Sequence, residues 1–233
     1  MRLPHEVAIA LLVEAALAAT CAGLLFRGRW RRLVTFSVYV PTVLTGNVLV
    51  TWWPETFWVY RFWILKESVY SSLTLCIALE LGWLTLRPFK GAEATLRRVT
   101  VVALVAMAIL LATSPGREST FLAVAGEVLP RVTTVTVWLM ALTLVLAHWY
   151  RIPWDPFVLG VAVSFGAYQA VFGVLLRLEG IYGWAVQPYL NALDPPAYLV
   201  LTVWWAYMCW RPDPAGSSGR RRLLQDLQLE ASR

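Results

Sequence analysis

The sequence predicts an all-α membrane protein: a polytopic bundle of seven transmembrane helices, with the N-terminus outside and the C-terminus in the cytoplasm. Three observations predict it. Of 233 residues, 59% are hydrophobic and 15% are charged, with a mean hydropathy of +0.61, too apolar for a chain that lives in water. The apolar residues fall into seven runs punctuated by Pro, Gly and charge, each near or above the roughly 20 residues that cross a bilayer. The basic residues gather on alternate connections, as orientation in a membrane demands.

The first run, residues 5–26, contains "LAATCAG", which has the outline of a lipoprotein signal with Cys21 as the modified residue. Thr20 stands where such a site normally has a smaller residue. The basic cluster "RGRWRR" follows the apolar run, whereas a cleaved signal carries its charge ahead of it. A retained first span is therefore expected.

Further spans are expected at 33–53, 60–86, 97–114, 120–149, 157–177 and 195–210. The fifth is long for one crossing, so a kink at Pro130 and an i,i+4 pair of Glu127 with Arg131 are expected near its outer end. The alternative is a short surface helix over 119–129. Residues 1–211 then form the membrane domain and 212–233 a basic cytoplasmic tail. In that tail "RRRLLQDLQLE" offers a short amphipathic helix, with Arg220, Arg221 and Arg222 toward anionic lipid of the inner leaflet.

Orientation follows from the loops. The connections and tail assigned to the inner side hold Arg27, Arg29, Arg31 and Arg32, then Arg87, Lys90, Arg97 and Arg98, then Arg151, and last Arg211, Arg220, Arg221, Arg222 and Arg233. These are 14 of the 20 lysines and arginines, so the positive-inside rule predicts an odd number of spans. Trp52, Trp53, Trp58, Trp149, Trp154, Trp184 and Trp210 fall at the expected interfaces.

Several function classes lack their residues. A retinal protein needs a lysine in the last span, and the only lysines are Lys66 and Lys90. "DPPAY", 194–198, matches the letters of a receptor motif but lies at the wrong end of the last span, and reads as a proline helix start. His5 and His148 fall on opposite sides of the membrane and cannot hold one haem between them. Cys21, Cys76 and Cys209 show no metal spacing and read as small apolar residues. Phosphate-binding, hydrolase and zinc-protease motifs are not found, and Asp155, Asp194, Asp213 and Asp226 fall in expected loops or tail. No cofactor, no metal and no nucleic-acid partner is expected; the basic excess is explained by topology and lipid.

The polar groups at membrane depth are the best lead, since a charge there costs roughly 2.5–3.5 kcal/mol and tends to face the bundle interior. Glu14, Asn47, Glu67 and Gln169 are expected to converge as a ligand or ion pocket in the outer half, with Lys66, Arg177 and Tyr168 as candidate partners. Glu80 points about 140° away from Glu67 around the same helix and is expected to make a separate inner contact, with Arg87 seven residues on. Lys66, beside Trp63 and Tyr70, is expected to snorkel to the headgroups. Against these readings stands the plain one, in which both glutamates only tie helices together.

The third span, with Trp63, Glu67 and Glu80 followed by "RPF", and the last span's "VWWAYMCWRP" resemble an uncharacterised family of bacterial seven-span membrane proteins. Leu79 departs from that pattern, where an aromatic or polar residue is expected. The resemblance implies the fold and topology and no activity.

The expected function is non-enzymatic: a ligand-binding or sensory module, or a subunit of a larger complex, in a bacterial inner membrane. The alternatives are a proton- or cation-coupled transporter or channel using the glutamates, and an enzyme acting on lipid. Its partners are the bilayer, anionic lipid and other membrane subunits.

Overall fold

A computed structural model describes residues 4–87 and 129–212. These form α1 (Pro4–Phe26), α2 (Val34–Trp52), a single turn α3 (Pro54–Phe57), α4 (Tyr60–Leu86), α5 (Leu129–Trp149), α6 (Pro156–Tyr182) and α7 (Gln187–Trp210). The expected span 97–114, the Glu127 pair, the surface-helix alternative and the tail with Arg220, Arg221 and Arg222 lie outside the described residues.

Five of the helices, α1, α2, α4, α5 and α6, are long and apolar enough to cross a membrane. Their outer faces fit that solvent: Leu12, Leu25, Trp138, Leu142, Val145 and Val163 are all exposed. A water-soluble bundle would not leave such faces bare. Helix α7 is more polar at its start, where Gln187, Asn191 and Asp194 precede the apolar stretch.

Neighbouring helices close into a ring in the order α1, α2, α4, α5, α6, α7 and back to α1. The first and last helices thus lie side by side. Gly166 and Gly173 both face α5, at Met140 and Thr133, where their missing side chains admit close packing. The interior holds Leu17, Phe36, Val40, Val43, Ile77, Leu81, Met140, Phe165 and Trp205.

One correction to the expected spans concerns "DPPAY". Helix α7 does not start there; it begins at Gln187 and carries Pro195 and Pro196 inside it. Proline inside a membrane helix is tolerated where neighbouring structure satisfies the freed carbonyls. Helix α6 likewise runs to Tyr182, beyond the expected 177.

The connections 27–33 and 150–155, together with Arg87 and Arg211, lie at one end of the bundle, termed here the arginine end. Three side chains fasten it. Arg29, 3% exposed, donates to the carbonyls of Met208 and Arg211 and so caps the C-terminus of α7. Asp155 accepts the N–H of Phe157 at 2.9 Å, capping α6, and pairs with Arg32 at 2.8 Å. Glu80 reaches from α4 to α2, where its carboxylate accepts the N–H groups of Val34 and Thr35, each at 2.8 Å.

Candidate functional site

Sequence reasoning placed the polar centre on glutamates. The structure builds it largely from tyrosines. Tyr39 on α2, Tyr70 on α4, Tyr168 on α6 and Tyr198 on α7 gather inside the ring, on the side of the core away from the arginine end. Tyr39 and Tyr70 meet edge to face at 6.3 Å, and Tyr168 and Tyr198 lie 5.4 Å apart.

Tyr198 and Tyr39 lie within electrostatic reach of each other. Tyr70 donates to the carbonyl of Val43 at 3.1 Å, and Tyr168 to the carboxylate of Asp194 at 2.9 Å. A phenol in an apolar span needs such a partner, because an unpaired polar atom there forfeits its hydration with nothing in return. That need is the one signal that could have found Tyr39, Tyr70 and Tyr198 from sequence. Asp194, assigned to a loop by sequence, belongs to this cluster.

Glu67 borders the cluster, its carboxylate within electrostatic reach of Tyr39, Tyr70 and Tyr168. It pairs with Lys66 at 3.2 Å. Lys66 does not snorkel as expected: its side chain is only 18% exposed, lies 5.5 Å from the centre of the Tyr70 ring, and packs beside Gly46. The reason is local. Gly46 lacks a side chain, so α2 and α4 approach closely enough for Tyr70 and Lys66 to fill the space.

The other expected pocket residues are distributed. Gln169 is buried beside Tyr168 in sequence, and Asn47 is half-buried one turn beyond Val43. Arg177 is exposed near the end of α6. Glu14, on α1, accepts the indole N–H of Trp52 at 3.3 Å through one carboxylate oxygen. Glu80, expected to make an inner contact, bonds at the arginine end to the backbone of α2; Arg87 lies over the Trp83 ring at 5.2 Å, and no ion pair joins the two.

Below the tyrosines, toward the arginine end, lies a packed aromatic layer. Phe165 stacks on Trp205 at 5.4 Å, Phe36 meets Trp205 at 5.2 Å and Phe157 at 6.2 Å, and Tyr39 touches both Phe165 and Trp205. Phe36, Phe157, Phe165 and Trp205 are fully buried. Among the described residues, no group of three His, Cys, Asp or Glu side chains could hold a metal ion, and the three cysteines are unpaired.

Fold and site together define a helical, multi-span membrane protein with a tyrosine and carboxylate cluster inside its bundle. No protein-family model matches the chain, and no curated protein or solved structure shows significant similarity to it. The likeness carried by Trp63, Glu67 and Glu80 thus ties the chain to no specific family, and its function has to be argued from its own residues.

Proposed function

We propose that the protein is a non-enzymatic, seven-span receptor-like module of a bacterial inner membrane, N-terminus outside, that binds a small polar ligand at the tyrosine cluster. The observation that carries this reading is the aromatic layer. A transporter or channel needs a polar path between the two membrane faces. Here the ionisable groups Glu67, Lys66 and Asp194 and four tyrosines lie on one side of the layer, and among the described residues rings and aliphatic side chains fill most of the middle. A site closed on one side suits binding and sensing, with the sealed end free to contact other membrane subunits.

The arginine end supports the orientation, since its connections carry most of the described basic residues. Arg29 counts less than the rule assumes, because it is buried as a helix cap.

Two experiments test the reading. A C-terminal reporter is expected on the cytoplasmic side; an external signal overturns the orientation. In proteoliposomes the protein is expected to pass neither protons nor alkali cations under an imposed gradient, whereas a flux abolished by Glu67→Gln overturns the binding role in favour of transport.

A further inference from the structure

A second candidate site uses residues that are not members of the tyrosine cluster. Glu14 on α1 is 9% exposed, and its two carboxylate oxygens are treated differently. Oε2 accepts the indole N–H of Trp52, at the end of α2. Among the described residues, Oε1 is buried with no hydrogen-bond partner. Inside a membrane bundle a half-satisfied carboxylate is costly, because a buried acceptor without a donor forfeits its hydration with nothing in return.

We propose that Glu14 and Trp52 form a binding site for an ammonium group. Three features select that chemistry. The vacant oxygen calls for a donor, and a cation satisfies both the hydrogen bond and the charge. A metal ion is a poor occupant, since Glu14 belongs to no group of metal-ligating side chains among the described residues. The neighbouring indole, hydrogen-bonded to Oε2, puts an aromatic side chain beside the carboxylate, the kind of neighbour organic cations favour. Trp52 is itself 62% exposed and stands beside Trp53, at the level where headgroups meet an aromatic belt.

The ammonium has two natural sources, a zwitterionic lipid headgroup or a free amine, and one experiment separates them. The full chain is reconstituted in nanodiscs of phosphatidylglycerol alone, and its melting midpoint is followed as ethanolamine is added, with glycerol as the uncharged comparison. Parallel discs contain phosphatidylethanolamine, and native mass spectrometry records what stays bound. The melting midpoint is expected to rise with ammonium and not with glycerol. A response to free ethanolamine identifies a soluble amine; a response confined to phosphatidylethanolamine discs identifies the headgroup.

Glu14→Gln keeps an acceptor for Trp52 but removes the charge, and is expected to weaken the response by roughly tenfold or more. Absence of any response in the native chain, or an equal response in Glu14→Gln, overturns the site. Should Glu14→Gln fail to fold, Trp52→Leu decides: loss of the response supports the site and an undiminished response overturns it.

Discussion

The carboxylate of Glu80 accepts the backbone N–H of Val34 at 2.8 Å, and its second oxygen accepts that of Thr35 at the same distance. A glutamate on α4 therefore caps the N-terminus of α2. The residue at the cap position of α2 is Leu33, whose side chain can accept nothing. The negative charge also meets the positive end of the helix dipole.

Removal of that cap is expected to cost stability. Glu80→Ala leaves two helix N–H groups without their acceptor and is predicted to destabilise by about 1–3 kcal/mol. Arg87→Ala, which touches an exposed ring, is predicted to change little. Melting in detergent checks both; equal effects would place Glu80 in an ion pair instead.

Arg29 is the second structural ion at this end. Its guanidinium bridges two carbonyls of the last turn of α7 and lies 5.3 Å from the centre of the Phe157 ring. Arg29→Lys is predicted to destabilise nearly as much as Arg29→Gln, by about 2–4 kcal/mol, because a point charge cannot span the fork. The nearby Arg27→Lys is predicted to be silent in the same melting assay. Silence of Arg29→Lys would show that charge alone holds the turn.

Close approach of α2 and α4 gives a third prediction. A Cβ on Gly46 would collide with the Tyr70 hydroxyl oxygen and fall 3.2 Å from its Cζ. Gly46→Ala must therefore displace Tyr70 and break its bond to Val43, at a predicted cost of about 1–3 kcal/mol. Adding Tyr70→Phe removes the closest atom, so the double variant is predicted to be less destabilised than the sum of the singles. Strict additivity in a thermal-melt cycle would mean that the two residues do not meet.

The tyrosine pair supplies a fourth. Tyr39→Phe and Tyr198→Phe each remove a hydroxyl from the same cluster, within electrostatic reach of the other, so their effects on melting are predicted to be non-additive. Tyr168→Phe breaks the bond to Asp194 and is predicted to add independently. Ligand binding at the proposed site should weaken in all three, which a thermal-shift screen of small polar ligands reads directly.

Glu67 and Lys66 behave as one unit in the structure, whereas the sequence treats them as separate. Replacing either is predicted to leave the other half-buried without its ion partner, so Glu67→Gln and Lys66→Met should each be more disruptive than the double change. A double variant worse than both singles rules out the pairing.

Much of the helix pattern is legible in the amino-acid sequence. The ends of α1, α2 and α4 fall within a residue of the expected spans, because long apolar runs between charged or proline-rich breaks have few other ways to satisfy their backbone. The start of α7 was misread for a physical reason: Pro195 and Pro196 signal a helix start in water-soluble chains, whereas a packed bundle can carry them inside.

Sequence by itself determined that this chain is a helical membrane protein, since composition and the length of apolar runs depend on solvent and not on neighbours. Only tertiary structure decided what its polar residues do. Glu80 finds its partner 46 residues away and Arg29 finds one 179 residues away, and in both the partner is backbone, which no residue type announces. Tyr39, Tyr70, Tyr168 and Tyr198 come from four helices, and their hydroxyls converge only once the ring of helices closes.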